Sequence, residues 1–293
     1  MLIFRILLIL IFTFTLPARG DVYKWIDEDG SVNFTDSIDR IPERYRKGAE
    51  KKHLPTTGIT LTVRHVIDGD TIIATTGEKV RYLGIDTPEL ASEKGPAQFF
   101  SEDSKKANKE LVNGKSMRME FDAEKIDRHG RLLAYVYLKD GTFINAKLIE
   151  DGSARVYFIP PNMKYYDQFK KLEKEAIKRR VGLWSEPDST TPIPHFDAIK
   201  HIGKFRFVEG TVRKVYKTEK AVYLDFGDNP DENFTVTIFN RDYPRFYEKG
   251  IDLINYYTGK KIIVYGKVKL YRGAEIIVSF PEDIQLAADL SMQ

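Results

Sequence analysis

The 293-residue sequence predicts a mainly β chain with helices, of the α+β class, arranged as two β-patterned stretches around a proline-rich junction. Three observations predict it. Short runs rich in Val, Ile, Thr, Tyr and Phe alternate with Gly and Asp turns from Thr60 to Asp86, and again from Phe205 to Ser279. Between them Tyr165, Phe169, Leu172 and Ala176 recur at i, i+4, i+7 and i+11, an amphipathic helix that Gly182 stops. Pro187, Pro192 and Pro194 then lie among Asp, Ser and Thr. With 42% hydrophobic residues and a net charge of +3, the chain has the apolar content of a folded core and lacks the charge excess of a disordered one. It has no cysteine, which excludes disulfides, thiolate catalysis and thiolate zinc sites. Its five histidines show no close metal spacing. Any bound metal is therefore held by carboxylates, as suits a hard cation such as calcium or magnesium.

Residues 1–20 combine Arg5, an apolar run from Ile6 to Leu16 and small residues at Ala18 and Gly20, the pattern of a secretory signal peptide. The run is too short to span a bilayer, so the expectation is export to the periplasm or beyond, without membrane insertion after cleavage. Residues 21–47 pair Val22–Ile26 with Ser31–Thr35 across Asp29-Gly30, a β-hairpin module in which Trp25 is structural or binds a partner. The Tyr-Lys-Trp-x-Asp start resembles a small module of unknown function at the N-terminus of many exported proteins of Gram-negative bacteria. Residues 48–58 read as a linker. Strands follow at Ile59–Val66, Thr71–Thr75, Lys79–Ile85, Ser116–Asp122 and Leu132–Leu138, with helices over 98–112 and Asn145–Asp151. The basic run from Lys170 to Arg180 is interleaved with acids and reads as a solvated helix face.

After a second linker, 187–197, residues 198–290 carry five strands: Phe205–Val215, Val222–Phe226, Phe234–Ile238, Lys261–Leu270 and Glu275–Ser279. The longest gap lies between the third and fourth. That is the layout of an OB-like β-barrel, or of another small barrel or sandwich. Phe205, Phe207, Tyr216, Tyr223, Phe239, Tyr265 and Tyr271 sit here among lysines and arginines. Strand alternation assigns several of them to the core and leaves the rest to stack on single-stranded nucleic acid.

Three segments carry chemistry: Val66-Ile67-Asp68-Gly69-Asp70-Thr71, Val80–Glu89 with its Asp86-Thr87-Pro88-Glu89 end, and Asp127-Arg128-His129-Gly130-Arg131. Each alone has a cheap reading as turn chemistry. In this order and spacing they resemble the staphylococcal nuclease (thermonuclease) family, over a domain of residues 59–186. The likeness continues through Asp140–Ala146, Pro161-Asn162 and Gly182-Leu183-Trp184. It implies an OB-type five-stranded barrel and a calcium-dependent nuclease cutting DNA and RNA at the 5′-oxygen to leave 3′-phosphates. It further implies Asp70 and Asp86 as the Ca2+ carboxylates with the Thr87 carbonyl, Glu89 as general base, and Arg81 and Arg131 as phosphate ligands. His129 replaces the family's aromatic residue, and Tyr157 lies near a substrate-stacking tyrosine or belongs to the core.

The chemistry is coherent. Attack on an anionic phosphodiester needs positive charge and positioning, which a hard cation and two planar guanidiniums supply, and a carboxylate to take the proton of water. The expected partners are DNA and RNA, with single strands preferred. The rival reading is a catalytically inactive nucleic-acid-binding module or envelope scaffold; calcium-dependent loss of a labelled oligonucleotide separates the two.

Overall fold

The computed structural model describes residues 21–287 apart from 31, 55–56, 94 and 228–233, so the expected signal peptide at 1–20 lies outside the described residues. The chain forms two compact units that divide after Glu175.

The first unit opens with the hairpin of β1 (Asp21–Ile26) and β2 (Val32–Thr35), followed by a one-turn helix α1 (Glu43–Arg46) and β3 (Glu50–His53). The sheet order is β2-β1-β3, all antiparallel. Residues 48–58 are therefore not a plain linker. The second edge of β1 would leave unpaired N–H and C=O groups, and the backbone of Glu50–His53 satisfies them.

Then come β4 (Thr57–Val66), β5 (Thr71–Ala74), β6 (Lys79–Tyr82), β7 (Ile85–Asp86), α2 (Ser101–Val112), β8 (Ser116–Glu120), β9 (Leu132–Leu138), α3 (Ile144–Glu150), β10 (Arg155–Val156) and α4 (Tyr166–Arg179). Strands β4-β5-β6-β9-β8 close into a five-stranded barrel of the OB type, with β6 and β9 parallel and the other pairs antiparallel. Its interior is filled by Val63, Ile72, Ala74, Val80, Met117, Met119, Ala134 and Val136, the inward phase of each strand. Buried Asn145 of α3 fastens the barrel's open backbone: its Oδ1 accepts from Val136 N (2.9 Å) and its Nδ2 donates to Leu83 O (2.8 Å).

The second unit contains α5 (Pro187–Thr190), β11 (Ile193–Pro194), β12 (Phe205–Thr211), β13 (Lys214–Lys217), β14 (Ala221–Asp225), β15 (Phe234–Phe239), α6 (Tyr243–Glu248), α7 (Leu253–Tyr256), β16 (Lys261–Leu270), β17 (Ala274–Ile277) and β18 (Ile284–Leu286). Segment 187–197 is folded here too, because β11 pairs in parallel with β12. The sheet runs β11-β12-β16-β17-β15-β14-β13, with β18 also on β16. The expected first strand is broken at Val212-Arg213. Val212 N still donates towards the β16 side, to Lys260 O (3.0 Å), whereas Arg213 N donates to Asp225 O of β14 (2.8 Å).

The core is mostly aliphatic, with Val222, Leu224, Val236, Ile238, Val264 and Ile276 around Phe226, Phe234 and Phe246. None of the seven aromatics singled out from the sequence lies in it. The strand phase turns the branched aliphatics inward and leaves those rings half-buried or exposed. Phe207 stacks on Tyr265 (centroids 4.5 Å) and Tyr216 on Tyr223 (5.1 Å). Among the described residues no helix is long and apolar enough to cross a membrane.

Candidate active site

The β4–β5 turn is the foundation of the site. Asp70 N donates to Asp68 Oδ1 (3.0 Å), and Asn108 of α2 donates through Nδ2 to Asp68 O (3.0 Å) while accepting from the Tyr82 hydroxyl (3.1 Å). Thr87 lies directly over the turn. A Cβ on Gly69 would stand 2.6 Å from Thr87 Cγ2, so only glycine fits beneath it. This closeness lets Asp70 Oδ2 accept from both Thr87 N (2.9 Å) and Thr87 Oγ1 (3.0 Å). The other oxygen, Oδ1, accepts from Thr71 Oγ1 (3.0 Å) and faces Arg81 Nε at 3.1 Å.

Arg81 arrives there by register, since it is the Cα partner of Thr71 across β5 and β6. Gly84, at φ 74°, turns the chain from β6 into β7; a Cβ there would meet Phe158 at 2.5 Å. The turn brings Asp86 back to the same guanidinium. Arg81 Nη2 donates to Asp86 Oδ1 (3.1 Å), and Nη1 donates to Tyr82 O and Ile85 O (both 2.8 Å). One arginine thus ties both acids together. A fork expected to grip phosphate with paired donors has a single Nη2 N–H left for it.

Arg131 is arranged differently. Its Nε donates to Asp127 Oδ2 (2.7 Å) and its backbone N to Asp127 Oδ1 (3.0 Å). Among the described residues no hydrogen bond engages its Nη1 or Nη2, so the open end of the fork is free for an anion. Glu89 is exposed on the following loop, where its backbone exchanges hydrogen bonds with Gln98 (3.2 and 2.9 Å). Among the described residues its side chain makes no hydrogen bond or ion pair with the other site residues, but its charge reaches Arg81.

Burial pushes the Asp70 carboxyl up to about 6, against the pull of Arg81 and with Asp68 adding to the rise. Burial also works against the Arg81 charge, and Asp70, Asp86, Asp68 and Glu89 more than offset it, raising its pKa. Two carboxylates therefore pair with one guanidinium and the charges of two more, Asp68 and Glu89, reach it, an excess of negative charge built from oxygen donors alone. That chemistry fits a hard divalent cation held by few protein ligands. Among the described residues no three acidic or imidazole groups form a ready-made cage, so the fit rests on Asp70, Asp86 and the Thr87 carbonyl.

An open groove of about 1140 Å³ is lined by Arg81, His129, Arg131, Tyr157 and Ile159, among others. His129 is exposed, with Nε2 accepting from Arg128 Nε (3.1 Å). Tyr157 is 37% exposed and its backbone N donates to Gly84 O (3.0 Å), so it faces the groove and is not core. Its phenol pKa is raised by burial and by Asp86, against Arg81. Asp70, Asp86, Thr87 and Glu89 do not line this groove; Arg81 is the joint between it and the acids. Sequence reasoning did not assign Asp68, Asn108 or Asp127. Asp127 had a signal in its place at the head of the Arg131 motif, whereas Asn108 is a mid-helix amide with no local mark of its task.

A closed OB-type barrel bearing clustered acids, a bridging arginine and a second open arginine fork defines a nuclease domain. The model for the staphylococcal nuclease homologues matches residues 79–186, and a domain of unknown function, DUF4124, matches residues 8–60. Endonuclease YncB of Bacillus subtilis is 37% identical over 194 residues, 62% of this chain and 91% of that protein. Thermonuclease of Staphylococcus intermedius is 38% identical over 138 residues, 46% of this chain and 82% of that one. The SPbeta prophage-derived endonuclease YokF of B. subtilis is 45% identical over 133 residues, 44% of this chain, and the match spans only 45% of its length. The chain belongs to the staphylococcal nuclease homologue family.

Proposed function

We propose that this protein is an exported, calcium-dependent nuclease that hydrolyses the phosphodiester bonds of DNA and RNA, single strands preferentially, at the 5′-oxygen to leave 3′-phosphates. The observation that carries the reading is the pairing of Asp70 and Asp86 through Arg81 beside the unpartnered Nη groups of Arg131. When bound, the cation supplies the positive charge that a phosphodiester needs to accept a nucleophile. Asp70, Asp86 and the Thr87 carbonyl would hold it. Arg131 grips the phosphate oxygens through Nη1 and Nη2, oriented by Asp127, and the remaining Nη2 N–H of Arg81 adds one donor. Glu89 takes the proton of the attacking water, and the new P–O bond forms as the bond to O5′ breaks. The departing 5′-oxygen takes a proton from solvent and leaves as a 5′-hydroxyl. Export rests on the N-terminal pattern of residues 1–20. The pairing order of the second unit supports reading it as a second OB-type barrel.

The test is cleavage of labelled DNA and RNA oligonucleotides by the purified mature protein in calcium, magnesium or EDTA, with product ends read by mass. Calcium should activate, magnesium should do less because it keeps its waters and demands octahedral geometry, and EDTA should abolish cleavage. Full activity in EDTA sinks the assignment.

A further inference from the structure

The hairpin module reaches the substrate groove. Among the described residues, the contacts that hold it on the nuclease barrel include the Lys24–Glu78 ion pair (3.4 Å), a bridge between Val32 and Glu78, and Phe34 against Gly130. The last is the most telling, because Gly130 belongs to the turn that carries Arg131. A Cβ at 130 would lie 3.1 Å from Phe34 N and 3.2 Å from Phe34 O, so the glycine admits the hairpin backbone to the arginine's own turn. The groove that Arg81, Arg131 and Tyr157 line is accordingly lined also by Trp25, Asn33, Phe34 and Arg40 of the module.

Its chemistry selects an occupant. At about 1140 Å³ it exceeds the ~300–1,000 Å³ of ordinary small-molecule sites, room for more than one nucleotide. Five cationic side chains line it against three carboxylates, and two of those carboxylates, Asp36 and Asp127, are already paired with Arg40 and Arg131. An indole at the wall of a cationic groove is the arrangement that holds single-stranded nucleic acid, since charge tracks the backbone and the ring takes a base that no neighbouring base covers. Trp25 is only partly buried and so retains a surface for this.

We propose that the N-terminal module is a wall of the substrate groove, with Trp25 stacking on a base of the single strand whose phosphate Arg81 and Arg131 hold. The proposal rests on the nuclease reading above and supplies its single-strand preference from a module outside the nuclease barrel.

The chain has two tryptophans, and the other, Trp184, is 1% exposed. Emission that responds to an added strand therefore reports Trp25. The experiment titrates the full-length mature protein with a thymidine decamer in EDTA at low salt, following tryptophan emission and, in parallel, the anisotropy of labelled decamer. Saturable quenching is expected, absent from Trp25→Phe. That variant should keep the decamer Kd within about threefold, whereas Trp25→Ala should raise it about tenfold or more, the penalty shrinking for a dinucleotide. Melting curves for both variants distinguish a lost ring from a lost module fold. Decamer binding without quenching, equal Kd for the Ala and Phe variants, or no decamer binding overturns the proposal. Calcium-dependent cleavage measured on the same samples keeps the two readings apart. Cleavage with unquenched emission removes the wall and leaves the nuclease, and quenching without cleavage does the reverse.

Discussion

The two units share an order of strand pairing and differ in what stands at matching positions. In the barrel the first strand pairs with the second and fourth, the second with the third, and the fifth lies between third and fourth. In the second unit, β12 and β13 taken together as one bent strand give the same order with β14, β15, β16 and β17, including the parallel pair of third and fifth. Yet Asp70, the residue just before β5, corresponds to Lys220 just before β14. Arg81, cross-strand partner of the first residue of β5, corresponds to Phe239, partner of Ala221. Lysine and phenylalanine cannot hold a cation or bridge two acids. The pairing scheme sets where side chains are presented, and the residues at those positions decide whether there is a site.

The sharpest break of this comparison exchanges charge at the matched turn positions. Asp70→Asn should lose more turnover than the roughly 10–100-fold typical of outer-shell metal partners, whereas Lys220→Ala should stay within about twofold in the same calcium-dependent assay. Comparable losses from both would mean that the second unit is part of the chemistry. Next comes Arg131→Lys, which keeps the charge and loses the free fork; turnover should fall about 10²-fold, as for removal of a transition-state donor. Near-normal kcat would show that point charge suffices.

A pair of glycines sharpens the comparison further. A Cβ on Gly69 would meet Thr87 at 2.6 Å, and one on Gly210 would meet Phe226 at 2.6 Å and His195 at 2.7 Å. Alanine at either should cost about 1–3 kcal/mol of stability by overpacking. Only Gly69→Ala should also reduce kcat, because Thr87 supports Asp70. Equal effects on kcat would contradict the separation of roles.

The smallest effect concerns His195 of the second unit, whose pKa is lowered by burial and then by Arg213. A neutral form favoured in the fold means that the unfolded chain takes up the proton first. Its stabilising contribution is complete above about 6.5 and is lost as pH falls through that value towards the folded pKa. Melting temperature should therefore drop less between pH 7 and 5.5 in His195→Gln than in the wild type; an identical drop would discard the assignment.

Much of the site was legible because its members are close in sequence and carry unusual chemistry. Asp-Gly-Asp, Asp-Thr-Pro-Glu and Asp-Arg-His-Gly-Arg are short, and the glycines in or just before them, Gly69, Gly84 and Gly130, mark the turns. The second unit's strands were legible from periodicity. Which rings pack inward was not, because the covered face of each strand is set by its distant partners, and nothing local marks Val212-Arg213 as the point where the first strand changes partners.

By itself the sequence determined the barrel's strands, the acids and arginines of the candidate site, and the turn glycines, since each is a property of a few consecutive residues. Tertiary structure alone decided the rest. The Thr71–Arg81 register sets one guanidinium between Asp70 and Asp86 and so withdraws most of its donors from phosphate. Backbone pairing recruits Glu50–His53 into a sheet. Packing of Phe34 on Gly130 brings Trp25 to the groove. Each of these joins residues distant in the chain, and a local pattern of side chains encodes neither the partner a strand edge finds nor the surface a module covers.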